Sequence, residues 1–220
     1  MKILGIVASP KGEKSQTLKL VRGVLDGAEA AGADTECIDL CKLRIKYCTA
    51  CGACYVSGTC IHKDDFGGLY AKMLEAEGLV WGSPDYFRGV TAQMKTLIDR
   101  MADTIHCQLF LDKYGCAVAV AGGPNHAETT TYLNQVLTGF GANTVGAVGA
   151  AMALPATLAA AAAEARTLGQ TLVEAIRSQR VYPEQEAVHR ELRARFKHLV
   201  TANKDAWKHE YEHWLNQGWL

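Results

Sequence analysis

The sequence predicts an α/β domain built as a doubly wound, five-stranded parallel sheet with helices on both faces. Three observations predict it. Short apolar runs with no polar face stop at Gly, Ser and Pro clusters, as strands buried on both sides do. Between them lie stretches whose apolar residues recur at helical spacing. At 220 residues and 49% hydrophobic content, the chain is long enough for one large core.

Residues 3–7 form the first apolar run and end at Ala8-Ser9-Pro10, and Gly12 to Ser15 break the pattern. From Thr17, Leu18, Val21, Val24, Leu25 and Ala28 give a helical stripe that stops at Gly32, after which residues 35–40 return to strand character. Asp64-Asp65 precede a helix starting near Phe66. Residues 78–81 are the third strand, ending at Gly82-Ser83-Pro84, and Val90, Met94, Leu97, Ile98 and Met101 predict one further helix. Residues 116–121 read as strand four, 129–137 as helix and 145–152 as strand five. The alanine-rich stretch 156–177 is a covering helix whose small residues allow close packing. Composition shifts near Gln179, where a charged helical tail begins, so residues 1–178 form the main domain, with loop 41–65 inserted, and 179–220 extend it.

Lys plus Arg equal Asp plus Glu at 23 each, a net charge of zero, so no basic field exists for nucleic acid or an anionic membrane. No apolar run reaches the roughly 20 residues of a spanning helix, and the opening MKILGIVASP turns polar too early for a secretory leader. The expectation is a cytoplasmic protein with reduced thiols that works on small molecules.

Half of the eight cysteines lie in one short segment, Cys48, Cys51, Cys54 and Cys60. A C-x2-C-x2-C run with only Thr49, Ala50, Gly52 and Ala53 between thiols lets the backbone wrap sharply, which points first to a [4Fe-4S] cluster. Zinc also takes four thiolates, usually from two separated pairs; disulfides and idle thiols are the remaining readings. Cys37, Cys41, Cys107 and Cys116 have no ligand spacing and read as small buried hydrophobes.

Ligands of an open α/β sheet sit beyond the carboxyl ends of its strands. The first such loop, 9–17, offers the Ser9, Ser15 and Thr17 hydroxyls, the Lys11 charge and the free N–H groups of a helix start, a set suited to one phosphate. An ordinary Ser/Thr helix cap is the plainer reading of the same residues. Neither a dinucleotide nor a P-loop glycine pattern is present. Two later strand ends, Ser83-Pro84-Asp85-Tyr86-Phe87 and Gly122-Gly123, combine aromatics with glycines, which suits a flat tricyclic ring, although the aromatics can equally pack in the core.

The stretches SPKGEKSQT, CTACGACYVSGTCIHKDD, GSPDYFRGVTAQMKTLIDR and AGGPN together resemble the flavodoxin-like NAD(P)H-dependent FMN reductases, and within them the iron-sulfur flavoproteins. The resemblance implies a flavodoxin-like fold. It implies FMN held at Ser9, Lys11, Gly12, Ser15, Gln16 and Thr17 by its phosphate and at Ser83, Pro84, Asp85, Tyr86, Phe87, Gly122 and Gly123 by its ring. It further implies a [4Fe-4S] cluster on Cys48, Cys51, Cys54 and Cys60, and a homodimer or homotetramer in which one subunit's cluster lies near another's flavin. Asp85, where an apolar residue is common, departs from the family pattern.

The expected activity is electron transfer from NAD(P)H or a ferredoxin to a small-molecule acceptor, with the chemistry in the cofactors and no catalytic protein residue. A non-turnover electron carrier and a flavin-binding module with structural zinc are the alternatives. His209-Glu210-Tyr211-Glu212-His213 matches H-E-x-x-H, but Trp207, Tyr211 and Trp214 mark its helix as one that docks. His62 and His126 lie near the expected sites, where lone loop histidines are usually only solvated.

Overall fold

Apolar runs with no polar face need burial on both sides, and these receive it. The computed structural model describes all residues 1–220. Its strands are β1 (Lys2–Val7), β2 (Asp34–Asp39), β3 (Gly78–Pro84), β4 (Tyr114–Ala121) and β5 (Asn143–Ala151). They form one sheet in the order β2-β1-β3-β4-β5, with every pairing parallel. The helices are α1 (Gln16–Ala30), α2 (Ala53–Ser57), α3 (Phe66–Glu75), α4 (Ala92–Asp99), α5 (Ala102–Cys107), α6 (His126–Gly139), α7 (Pro155–Arg177), α8 (Pro183–Ala202) and α9 (Lys208–Asn216). Strand order reverses between β1 and β3, which opens a crevice at their carboxyl ends.

Side chains alternate across the sheet and feed two cores. Ile3, Val7, Val80 and Val118 pack under α1 and α7, whereas Leu4, Ile6, Leu79 and Trp81 pack under α3, α4 and α6. The alanine-rich helix packs as its composition implies. Gly169 of α7 lies so close to α1 that a Cβ there would sit 1.9 Å from the Val24 carbonyl oxygen, and Ala161 and Ala165 are buried beside the same crossing.

Two expectations need correction, and two are filled in. The stripe 90–101 is not one helix: it breaks after Asp99, and the break turns the Arg100 side chain into the protein, where carbonyl and carboxylate partners hold it. The tail is two helices joined by a turn at 203–207, and the cysteine loop contains the extra helix α2. Cys37, on the edge strand β2, is exposed, and Cys41, in the turn that follows β2, is half-buried; Cys107 and Cys116 are buried as expected.

The tail docks as its aromatic stripe implies. Phe196, Val200 and Trp214 are buried together, and the Trp214 indole N–H donates to the His106 carbonyl at 3.0 Å. No helix is long and apolar enough to cross a membrane.

Candidate functional site

The crevice at the switch point holds a cleft of about 880 Å³. Its floor is the start of α1, where Gln16 and Thr17 begin the helix and so have N–H groups without intrahelical acceptors. Ser15 is the N-cap: its Oγ accepts from the Leu18 N–H at 3.1 Å, leaving its own hydroxyl hydrogen free to donate. The plainer reading of Ser15 as a cap and its use in the cleft are therefore compatible. Ser9, Lys11, Ser15, Gln16 and Thr17 line the cleft together with Pro84, Asp85, Tyr86 and Gly122. Lys14, Val120, Ala121 and Met152 also line it and were not singled out from the sequence. Lys14 was legible as a second cation in the same loop; Met152 comes from the turn just after β5, too far along the chain for any local signal.

Gly12, Ser83, Phe87 and Gly123 are near the cleft but do not line it. Ser83 is fully buried, with its hydroxyl donating to the Pro84 carbonyl and accepting from the Thr91 N–H. Phe87 is fully exposed because Tyr86 and Gly89 exchange backbone hydrogen bonds around a tight two-residue turn. Phe87 and Arg88 occupy its left-handed central positions, at φ 54° and 64°, which aims the ring outward. Arg88 forks onto Glu128 at 2.6 and 2.9 Å, and the Thr129 hydroxyl donates to Asp85 at 2.7 Å, so α6 braces this turn. His126 does not reach the cleft; its ring lies against Gly149, where a Cβ would come within 2.3 Å of it.

The second site is the cysteine loop, which hangs from the carboxyl end of β2. Its ends are zipped together: the Arg44 N–H donates to Asp65, the Lys46 N–H to Asp64, and the Asp65 N–H to the Arg44 carbonyl. Arg100 locks the zip from below, donating to the Lys46 carbonyl at 2.7 Å and to both Asp64 oxygens at 2.9 and 3.2 Å, while lying over the Phe66 ring. Burial alone would raise the Asp64 pKa, but the guanidinium and two backbone N–H groups outweigh it and hold the carboxyl at about 2. Sequence reading missed Arg100, since nothing local distinguishes a buried guanidinium in an amphipathic stripe.

Between these ends, all four cysteines line one shallow concavity, with His62, Tyr55 and Arg100. Left-handed Ala50 and Gly52 turn the backbone between the first three thiols. The donor chemistry fits an iron-sulfur cluster: the thiols are free, the Ala53 N–H pulls the Cys51 thiol below its usual range, and the Ala50 N–H donates to the Cys48 sulfur at 3.4 Å. Burial pushes Cys54 up to about 11. No three of the four sulfurs lie within 4.8 Å of one another.

Helix α9 closes the far side of the loop. The His209 ring lies against Gly58, where a Cβ would meet it at 2.5 Å, and Tyr55 packs on His106 and Trp207. Glu210 is fully buried with its carboxylate accepting from His106 Nδ1, and the His213 Nε2–H donates to the Cys107 carbonyl. Burial pushes the Asp103 and Glu210 carboxyls and the Cys107 thiol upward. The H-E-x-x-H segment is thus turned inward, with Glu210 held by His106 and His213 by the Cys107 carbonyl.

A one-phosphate cradle at the switch point of a 2-1-3-4-5 parallel sheet, continuing into a ring-sized cleft, defines a flavodoxin-like flavin oxidoreductase. The NADPH-dependent FMN reductase model matches residues 1–155. An iron-sulfur flavoprotein of Archaeoglobus fulgidus is 33% identical over 223 positions spanning the whole of both chains, and one of Methanocaldococcus jannaschii is 40% identical over 131 residues, 60% of this chain and 67% of that one. A flavone reductase superposes with a TM-score of 0.66 at 23% identity, covering 80% of this chain and 63% of its own, a likeness of fold alone. The chain belongs to the NADPH-dependent FMN reductase family and, within it, to the iron-sulfur flavoproteins.

Proposed function

We propose that this protein couples a [4Fe-4S] cluster to FMN and passes electrons from NAD(P)H or a ferredoxin-type donor to a small-molecule acceptor. One observation carries the reading: a single chain presents both a dianion cradle opening into a ring-sized cleft and a separate concavity lined by four free cysteines. The two groups would supply hydride and one-electron chemistry side by side, which interconverts the two kinds of donor.

The chain's own residues bind and orient. Ser9, Ser15, Gln16, Thr17, Lys11 and Lys14 would hold the phosphate, and Pro84, Asp85, Tyr86, Gly122 and Met152 would border the ring. Cys48, Cys51, Cys54 and Cys60 would ligate the cluster, with Arg100 holding the loop and balancing thiolate charge. The two sites share no lining residue, which supports a homo-oligomer in which one subunit's loop approaches a partner's flavin cleft. The zero net charge supports a small acceptor over a polyanionic partner. Residues 179–220 serve as part of the same domain, since α9 packs on both α5 and the loop.

Anaerobic purification followed by flavin and iron analysis tests the reading: about four iron atoms per FMN are expected, and flavin bleaching by NADH or NADPH should precede reduction of an added quinone. Flavin without iron would reject the cluster. Iron and flavin without pyridine-nucleotide turnover would reassign the protein as an electron carrier.

A further inference from the structure

A third cluster of donor atoms lies behind the cysteine loop. Asp103 and Cys107 stand one turn apart on the same face of α5, and α9 brings His209 against them. Asp103 Oδ1, Cys107 Sγ and the His209 ring nitrogen all lie within 4.8 Å of one another, the only such trio of His, Cys, Asp or Glu donors in the molecule. The Cys107 thiol donates to Asp103 Oδ1 at 3.6 Å, and His209 Nε2 stands 3.4 Å from the same oxygen as an ion pair.

These distances fit a shared central atom. With metal–sulfur bonds of about 2.3 Å and metal–nitrogen and metal–oxygen bonds of about 2.0–2.1 Å, the sulfur–oxygen and nitrogen–oxygen edges of a tetrahedron are about 3.6 and 3.4 Å. A direct charge-assisted N–H···O bond would instead close to about 2.7–2.9 Å. Thiolate, carboxylate and imidazole together are a borderline-soft set suited to zinc, and the two anionic ligands would neutralise the dication in a buried setting. Asp103 and Cys107 are buried while the His209 side chain is 34% exposed, so an ion has a path in. Asp103 also borders the groove between the cysteine loop and α3, a second approach to the trio.

We propose that Asp103, Cys107 and His209 form a three-ligand zinc site with an open fourth position, distinct from the four-cysteine loop. The neighbouring polar groups have partners of their own: Glu210 is held by His106, and His213 Nε2 by the Cys107 carbonyl. The ion would fasten α9 to α5 directly behind the loop.

The test uses the full-length protein with its flavin and iron in place, incubated with equimolar zinc sulfate, passed through gel filtration and assayed for zinc, iron and flavin. About one zinc per chain is expected in the wild type, with zinc affinity at least tenfold weaker in His209→Gln and Cys107→Ser while iron and flavin contents stay unchanged. His209→Cys, which restores a soft donor at a half-exposed position, should retain zinc and the zinc-dependent rise in Tm. Absence of zinc from the wild type, or zinc that persists undiminished in either His209→Gln or Cys107→Ser, would overturn the proposal.

Discussion

The flavin cleft and the cysteine loop leave the same edge of one sheet, but they are held in opposite ways. The cleft is made of strand ends and a helix start, so backbone hydrogen bonds of the sheet fix its walls. The loop has one five-residue helix and is positioned by side chains from elsewhere: Asp64, Arg100 and the α9 aromatics. A site built on backbone tolerates the loss of any one side chain. A site hung on side chains depends on a few of them.

Arg100→Ala should show the largest difference. It leaves the buried Asp64 carboxylate and the Lys46 carbonyl without their partner, a loss of about 3–5 kcal/mol. Iron per chain should fall several-fold while FMN affinity changes little; parallel loss of both would show that the two sites are one cooperative unit.

Acid should act on the loop in the same sense. Asp64 has its pKa lowered to about 2 from an ordinary 3.8, so its contribution is complete above the ordinary value and drains away as pH falls toward 2. The difference is about 2 kcal/mol. Urea unfolding of the cluster-free protein should lose that much between about pH 5 and pH 2, and Asp64→Asn should flatten the slope.

Gly58→Ala puts a methyl into the His209 ring and should destabilise by about 1–3 kcal/mol. Combining it with His209→Ala should recover most of that loss, a non-additivity readable in thermal unfolding. In the cleft, Lys14→Gln should weaken FMN binding by about tenfold, the effect shrinking in high salt, with iron content unaffected. The smallest change belongs to Ala50→Gly, which relieves a left-handed alanine at φ 52° and should stabilise the apo loop by roughly 0.5–1 kcal/mol.

The same contrast governed what the sequence disclosed. Strands and the cleft-lining loop 9–17 were legible because their signals are local: apolar runs, glycine punctuation, a Ser cap at Ser15 and hydroxyls beside a helix start. The four cysteines were legible by spacing. Arg100 was not, because an Arg at a helical break reads as surface until the fold carries Asp64 and Lys46 to it. The exposure of Phe87 was not legible either, since it follows from the tight turn closed by Tyr86 and Gly89 and not from its residue type. The inward turn of His209 and Glu210 depended on where α9 docks, which no local pattern records.

Docking of α9 on the loop also sets an order of events at the ribosome. His209 is made some 150 residues after Cys54, which at about 5–20 residues per second is on the order of ten to thirty seconds. During that interval the loop lacks the packing of Tyr55 on Trp207 and of Gly58 on the His209 ring, so its last contacts form only when the helix arrives. Cys48 and Cys51 stay open to solvent even then.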